Sequence, residues 1–483
     1  MDQNWTLATI LDAVGVPQSE QFHHIPITSI QTNPHHCSEG ALFIVYPFVL
    51  RHLGYERERP ALLDAVASGA SAVVTTLSRN LFQSPVPVLR VNDIYAVIAK
   101  LTVFARQEFA GRVIAITGSV GKTSTKDVIA NALSQFGTTH KTLGTENSIG
   151  LLCKTIVNAP KTSDFLVLEI GSTESGHINR IRYAPPEIGI VTFVTKSRHR
   201  EIYGGDSEIL KEKLSLFDHL TGAKIAITHE TVVEQDRKER NLLADKDINR
   251  LITVGLSDHN DIYCTDIRFD GVKSQGVMHV FGTRYPFRLN LPAPHFVNNA
   301  MYAAATASVL DLSVEKAIGS LTDITLTEQR IERSRVRLNN GDFEFIDDSY
   351  NNGADSTRAL LKVLSYRTAS RKVFIWSFMG GYDERAAEVH AAMAAEIYAT
   401  GIDSLIFVGD KAKDVCEAHQ FPEFTNFPDW PSLALEIPNL VKANDLVVLK
   451  NRDLKNLTNM SEVIKKLGDC YPAGQWKIED NQA

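Results

Sequence analysis

Short apolar runs alternate with helical stretches along the whole chain. In the first part the apolar runs span 41–46, 71–76 and 86–91, and a helical pattern covers residues 60–69. Runs of this length, bounded by turn residues, are typical of buried strands. The pattern predicts a small α/β domain over residues 1–105.

A second group of apolar runs begins at Val113. The predicted strands that follow are 165–170, 188–193 and 224–228. Because helical stretches separate them, we expect a parallel sheet covered on both faces. An antiparallel segment at 261–291 and an Ala-rich helix at 299–307 complete the predicted central domain, residues 106–322.

The last third of the chain repeats the alternation of strands and helices. Its predicted strands are 336–338, 343–348, 372–376, 404–409 and 445–450. They predict a doubly wound, Rossmann-like sheet over residues 323–483, and ligands of such sheets bind beyond the carboxyl ends of the strands. The predicted fold class is therefore α/β with three domains: an N-terminal domain, a central domain with a P-loop parallel sheet, and a C-terminal Rossmann-like domain.

Residues 113–126 combine a buried strand, a glycine-flanked turn and the start of a helix. Gly118 and Gly121 let the backbone approach phosphate oxygens, the helix N-terminus supplies partial positive charge, and Lys122 adds a full one. The loop departs from G-x-x-x-x-G-K-[ST], because the first glycine of that pattern would fall at Ile116. The predicted nucleoside triphosphate site comprises Gly118, Ser119, Val120, Gly121, Lys122, Thr123 and Ser124.

Three further residues are candidates for the same site. Glu169 lies near the end of the apolar run 165–170, where a carboxylate would hold Mg²⁺ together with Thr123 if this strand neighbours the loop. The alternative is an acid at a strand end that faces solvent. His199 and Lys213, taken alone, are interpreted as ordinary surface residues.

Composition narrows the class of protein. The chain has 483 residues, 44% hydrophobic and 22% charged, with a net charge of −7, so we expect a globular protein whose partners do not include nucleic acid. Five scattered cysteines without a C-x-x-C pair predict reduced thiols. Neither a signal peptide nor a membrane-spanning run is evident, which predicts a cytoplasmic protein with no membrane partner.

Six segments of the chain resemble the Mur ligase family, the ATP-dependent amide-forming enzymes of peptidoglycan precursor synthesis. The matching segments are 39–43, 117–125, 145–150, 168–171, 295–299 and 347–351. The resemblance covers nearly the whole chain. The phosphate loop and Asp347-Asp-Ser-Tyr-Asn351 are its most specific parts.

The resemblance implies an ADP-forming acid–amine ligase that uses ATP and Mg²⁺. A substrate carboxylate attacks the γ-phosphate, an acyl phosphate forms, and an amine displaces phosphate to give the amide. The implied partners are a small-molecule acyl donor, of which a UDP-linked muramoyl peptide is one, and an amino acid or dipeptide acceptor. A monomer is the expected state of such a three-domain chain.

The resemblance also implies roles for single residues. Thr123 and Glu169 would bind a first Mg²⁺, and His199 a second. Lys213 would be the lysine that many members carbamylate to hold that second ion. The implied catalytic residues are thus Lys122, His199 and Lys213, and the residues implied to lie against the nucleotide are Asn299, Arg330, Asp348 and Asn351.

Some positions depart from the family pattern. The D-S-R signature of members that use uridine nucleotides is replaced by Gln31-Thr-Asn33, and the first asparagine of H-N-x-x-N is Phe296. Three alternatives therefore stay open: a cell-wall ligase, a relative recruited to join another acid and amine in specialised metabolism, and a non-catalytic nucleotide-binding regulator. A kinase or simple NTPase would leave segments 295–299 and 347–351 unexplained.

Overall fold

The architecture consists of three domains, each built around its own β-sheet. The structure is a computed structural model, and it describes residues 5–16, 24–144, 147–172, 175–195, 205–270, 272–290, 294–324, 329–380, 382, 385–410, 421–451 and 459–472. The sheets of four, nine and seven strands follow one another along the chain, and a separate two-stranded ribbon lies near the N-terminus.

The N-terminal domain contains an all-parallel sheet. Its elements are β1 (Trp5–Thr6), α1 (Leu7–Val14), β2 (Pro26–Ile27), β3 (Ser29–Gln31), β4 (Ala41–Ile44), α2 (Pro47–His52), α3 (Glu58–Ala67), β5 (Ala72–Thr75), β6 (Val88–Arg90) and α4 (Ile94–Glu108). The sheet order is β3-β4-β5-β6, while β1 and β2 form the antiparallel ribbon. All four residues of β4 and of β5 are buried, as expected for a sheet covered on both faces.

The central domain contains the nine-stranded sheet. Its elements are β7 (Arg112–Thr117), α5 (Lys122–Leu133), β8 (Thr139–Lys141), α6 (Ile149–Val157), β9 (Phe165–Glu169), β10 (Ile188–Val191), α7 (Asp206–Leu214), β11 (Ile225–His229), α8 (Glu230–Glu239), β12 (Arg250–Gly255), β13 (Ile262–Phe269), β14 (Ser274–Val280), β15 (Thr283–Leu289), α9 (Pro294–Val309) and α10 (Val314–Gly319). The order is β15-β14-β13-β12-β11-β10-β7-β9-β8. Strands β7 to β13 run parallel to one another. Strands β14 and β15 continue the sheet beyond β13 as antiparallel strands. The loop after β7 thus lies between the ends of β10 and β9.

The C-terminal domain contains the seven-stranded sheet. Its elements are β16 (Glu332–Leu338), β17 (Gly341–Asp347), α11 (Ala354–Leu364), β18 (Arg371–Ser377), α12 (Ala386–Ala399), β19 (Ser404–Val408), β20 (Glu423–Phe427), α13 (Trp430–Leu440), β21 (Asp445–Lys450), α14 (Met460–Lys465) and β22 (Asp469–Pro472). The order is β20-β19-β18-β21-β17-β16-β22, with β16 and β22 antiparallel to their neighbours. The predicted α/β class, with a parallel central sheet and a doubly wound third sheet, is confirmed.

Polar side chains join the N-terminal domain to the central one. Asn158, directly after α6, accepts a hydrogen bond from Ile30 N at 2.7 Å and donates one to Ile30 O at 3.0 Å. The indole of Trp5 donates to Val157 O at 3.1 Å. One end of α6 is therefore fixed to the N-terminal domain, while its other end faces the carboxyl edge of the central sheet.

Apolar packing joins the central and C-terminal domains. One continuous hydrophobic core contains buried side chains of both sheets. At its edge the rings of Phe269 and Tyr366 lie 5.6 Å apart.

Among the helices within the described ranges, none combines the length and the apolar character needed to cross a membrane.

Candidate active site

The phosphate loop, residues 118–121, is pressed against the end of β10. Gly118 has φ +148°, and a Cβ at this position would lie 2.1 Å from Thr192 Oγ1. Ser119 N donates to Phe193 O at 2.6 Å, and Thr192 Oγ1 donates to Val120 O at 2.7 Å. Only glycine fits at residue 118, because both the positive φ and the close contact exclude a side chain.

Helix α5 begins directly after this loop. Gly121 forms its N-cap with φ +86°, so the first turn of the helix points its free N–H groups toward the loop. The ammonium of Lys122 donates to Gly118 O at 2.8 Å and to Ser119 O at 3.2 Å. Thr123 and Ser124 are buried in the same turn. This arrangement suits the binding of phosphate oxygens.

Asn299 connects α9 to the same helix. Its Oδ1 accepts a hydrogen bond from Thr125 Oγ1 at 3.0 Å. The side chain is buried, and its Nδ2 has no hydrogen-bond partner within the part of the chain that the structure describes. A buried amide with a spare donor costs free energy unless a ligand accepts from it, so Asn299 is suited to contact a nucleotide.

Glu169 ends strand β9 beside the phosphate loop. Strand β9 pairs with β7, and Glu169 lies opposite Ile116, two residues before the loop. The side chain is 1% exposed, so the alternative of an acid facing solvent is wrong. Its Oε1 accepts from Asn147 Nδ2 at 2.9 Å, whereas its buried Oε2 lacks a hydrogen-bond donor among the described residues.

These residues fit a magnesium ion. Mg²⁺ prefers oxygen ligands and usually takes one or two carboxylates together with substrate phosphates and water. Glu169 Oε2 and the Thr123 hydroxyl are oxygens of this kind at the edge of the loop. Within the described ranges no cluster of three or more His, Cys, Asp or Glu side chains forms a complete protein-only metal site, so phosphates would have to supply further ligands.

Lys213 lies on α7 and is buried, so its interpretation as a surface residue is wrong. Burial, together with the positive charge of Lys122, lowers the pKa of Lys213 to about 7, and Glu212 opposes that shift. The carboxylate of Glu212 accepts from Gly176 N at 2.8 Å and from Ile178 N at 3.0 Å, which holds α7 in place. The predicted partner His199 lies outside the described residues.

The C-terminal domain contributes a second group of buried charges. Asp348 follows β17, accepts from Ile331 N at 3.2 Å and forms an ion pair with Lys450. Burial raises the pKa of Asp348, whereas the positive charges of Lys450 and Arg330 lower it. The guanidinium of Arg330 lies 4.0 Å from the centre of the Tyr350 ring, and its Nε has no hydrogen-bond partner among the described residues.

Charged residues of the C-terminal domain lie close enough to the central domain to affect the pKa values of its residues. Burial lowers the pKa of Lys126 on α5, and the charge of Arg330 contributes to that shift. Burial also lowers the pKa of His295 on α9 to about 4, with a further contribution from Lys450. The predicted residues Arg330 and Asp348 therefore lie at the junction with the central domain. Asn351, half-buried, lies just before α11.

Several residues of the site were not predicted from the sequence. Thr192 shapes the loop, Asn147 orients Glu169, and Lys126 lies entirely inside the protein next to Glu169. Lys126 follows Lys122 by four residues, which places both on one face of α5. That spacing was the only available signal, and it does not show that the face is buried.

Fold and site define an ATP-dependent enzyme that works between two α/β domains. Two family models match the chain: the Mur ligase middle domain over residues 116–307 and the Mur ligase, glutamate ligase domain over residues 329–451. The chain belongs to the Mur ligase family and is an ATP-dependent, amide-forming ligase.

Relatives and solved structures agree with this assignment. UDP-N-acetylmuramoyl-tripeptide–D-alanyl-D-alanine ligase of Synechocystis sp. is 26% identical over 468 residues, which is 95% of this chain and 96% of the relative. The Escherichia coli ligase of the same name is 24% identical over 92% of this chain and 95% of the relative. MurF of Acinetobacter baumannii has a TM-score of 0.77 at 20% identity, covering 96% of this chain and 98% of that structure. MurF of Thermotoga maritima in complex with ADP has a TM-score of 0.72 at 21% identity, covering 92% and 98%.

Replacing Lys122 tests the phosphate loop. Lys122→Ala should lower the rate of ADP formation by about 10²–10³-fold, because the charge on the transferring phosphoryl group loses a fixed cation. Calorimetric titration with ADP and an assay of ADP release measure the effect. The matched control is Lys238→Ala, which removes an exposed lysine on α8. Activity of a folded Lys122→Ala protein equal to that of the control would contradict the assignment.

Proposed function

We propose that this ligase joins the carboxylate of a UDP-linked muramoyl tripeptide to the amine of D-alanyl-D-alanine. The observation that carries the proposal is the extent of the similarity. The two family models match only residues from 116 onward, but the Synechocystis ligase matches 95% of this chain and so includes most of the N-terminal domain. In this reading the N-terminal domain, residues 1–105, binds the donor, residues 106–322 bind ATP, and residues 323–483 complete the site.

The proposed reaction has two steps, phosphorylation of the carboxylate and displacement of phosphate by the amine. An oxygen of the donor carboxylate forms a bond to the γ-phosphorus while the bond from that phosphorus to the β–γ bridging oxygen breaks, and ADP leaves. The acceptor nitrogen then attacks the carbonyl carbon, the bond to the phosphate oxygen breaks, and the nitrogen loses a proton. The first step makes the carboxyl carbon electrophilic, because phosphate is a better leaving group than oxide.

The residues of the chain divide this work. The N–H groups in the first turn of α5 and the ammonium of Lys122 hold the phosphates and stabilise the charge that spreads over the transferring group. Thr123 and Glu169 would hold Mg²⁺, which when bound neutralises phosphate charge. Arg330 and Asp348 of the C-terminal domain cover the nucleotide site, and this cover keeps water away from the acyl phosphate.

Lys213 has the properties of a lysine that can be carbamylated. Carbamate formation needs the neutral amine, which adds to carbon dioxide and releases a proton. With its pKa lowered to about 7, a substantial fraction of Lys213 is neutral at physiological pH. The resulting carboxylate-like group would serve as a ligand for a second Mg²⁺ together with His199.

One observation favours the alternative of a different acyl donor. In the segment that replaces D-S-R, Thr32 is buried, and Gln31 Oε1 is buried without a hydrogen-bond partner among the described residues. Asn33 accepts from His35 N at 3.0 Å and caps a short 3-10 helix. The segment therefore presents no charged side chain of its own to a uridine nucleotide.

We further propose that the working state of the protein is a cytoplasmic monomer.

Omission of single substrates tests the proposed function. With Mg²⁺-ATP, UDP-muramoyl tripeptide and D-alanyl-D-alanine, the protein should release ADP and form the amide, and leaving out either substrate should abolish the amide. Coupled ADP detection and mass spectrometry of the product measure this. ATP binding without turnover on this pair would contradict the cell-wall substrates and favour another acid and amine.

Replacing Lys213 tests the carbamate. Lys213→Ala should lose most activity, and added short carboxylic acids such as acetate should restore part of it, because they can replace the missing carboxylate-like group. The matched control is Lys211→Ala, an exposed lysine two residues earlier on α7. We expect the control to keep its activity. A folded Lys213→Ala protein that no acid rescues would leave the carbamate without support.

A further inference from the structure

Four charged side chains form a cluster beneath the phosphate loop. Lys126 on α5 lies 3.7 Å from Glu169 Oε2 and 3.6 Å from Asp127 Oδ1, measured from its Nζ. Lys141 on β8 lies 2.8 Å from the same Asp127 oxygen. The cluster, defined as Lys126, Asp127, Lys141 and Glu169, thus contains two acids and two bases.

Burial divides the cluster into two ion pairs of different character. The side chains of Lys126 and Glu169 are 0% and 1% exposed, whereas that of Lys141 is 40% exposed. A buried charge is costly unless an opposite charge lies beside it. Lys141 is the nearer cation to Asp127, so Lys126 is the buried cation that remains to balance Glu169.

The same carboxylate oxygen is the proposed metal ligand. Glu169 Oε2 has no hydrogen-bond donor among the described residues and only the ammonium of Lys126 at ion-pair distance. We infer that Lys126 is the counter-ion of Glu169 in the metal-free enzyme and that it competes with a divalent cation for this carboxylate. The inference rests on the magnesium site of the proposed function and adds a condition to it.

The condition is that metal binding depends on the phosphates of the nucleotide. The cluster is balanced without a metal, so a divalent cation adds two uncompensated positive charges inside the protein. The positive charge of Arg330, which also acts on Lys126, makes that addition less favourable still. The negative charges of ATP compensate for it, and we therefore expect the metal to bind weakly alone and well together with the nucleotide.

Lys126 has other partners when a metal takes Glu169. Its Nζ donates to Gly144 O at 2.5 Å, and Asp127 is as close to it as Glu169 is. Release of Glu169 therefore leaves the ammonium hydrogen-bonded and paired. The exchange of Lys126 for a metal needs no movement of α5.

Removing the charge of Lys126 tests the competition. Lys126→Gln shortens the side chain but keeps an N–H donor that can turn toward Gly144 O. Without nucleotide, it should bind Mn²⁺ about tenfold more tightly than the wild type, because the competing cation is gone. Electron paramagnetic resonance measures free Mn²⁺ in such a titration. The matched control is Lys141→Gln, which removes the same charge from Asp127 and not from Glu169, and its Mn²⁺ affinity should stay within about twofold of the wild type.

Thermal unfolding provides a second readout that does not depend on activity. Lys126→Gln leaves Glu169 without its counter-ion, so its Tm should fall without metal and recover on addition of Mn²⁺ by more than that of Lys141→Gln. A Lys126→Gln protein that folds only with Mn²⁺ would support the inference equally. Unchanged or weaker Mn²⁺ binding, or a protein that neither folds nor recovers with Mn²⁺, would overturn it.

The two levels of the proposal can fail separately. Wild-type protein that binds no Mn²⁺ even with ADP would overturn the magnesium site and this inference with it. Wild-type protein that binds Mn²⁺ with ADP, beside a Lys126→Gln protein of unchanged affinity, would overturn only the competition. The amide-forming reaction is measured independently of both.

Discussion

The shape of the phosphate loop depends on one close contact, between Gly118 and the end of strand β10. A Cβ on Gly118 would lie 2.1 Å from Thr192 Oγ1, and Tyr302 in turn donates a hydrogen bond to Thr192 O at 2.8 Å. The loop is thereby fixed between its own sheet and helix α9. Lys122 and Thr123 directly follow this loop, so the fixed backbone of the loop sets the positions of both residues.

The second constraint is the need to pair charges that the site buries. Lys126 balances Glu169 beneath the loop, and Lys450 balances Asp348 on the C-terminal domain. Lys213 instead has its pKa lowered to about 7. In the proposed mechanism each solution would have a chemical use: Glu169 would be a carboxylate that a metal can take over, Asp348 would help to close the nucleotide site, and Lys213 would be an amine that can react. An acyl phosphate survives only where water is excluded, and excluding water is what makes these pairings necessary.

The sequence predicted those features that are local along the chain. The phosphate loop and most of the interior strands appear as apolar runs and glycines, so they could be found directly. Strands β3, β8, β20 and β22 were not predicted, and each lies at the edge of its sheet. The interior strand β12 was also missed, and its first two residues are exposed. The burial of Lys126 and the approach of Lys213 to Lys122 arise from packing between distant segments, which no spacing reveals. The resemblance to the family implies a role for Lys213 that no spacing in the sequence indicates.

The central claim is that the donor carboxylate itself attacks ATP, and transfer of an oxygen isotope tests it most directly. The donor is labelled with ¹⁸O in its reacting carboxylate, and the released phosphate is analysed by mass spectrometry. The account predicts one donor oxygen in each phosphate, because the acyl phosphate breaks at its carbon–oxygen bond. Phosphate that contains no donor oxygen, its fourth oxygen coming from water, would contradict it and would indicate simple hydrolysis of ATP.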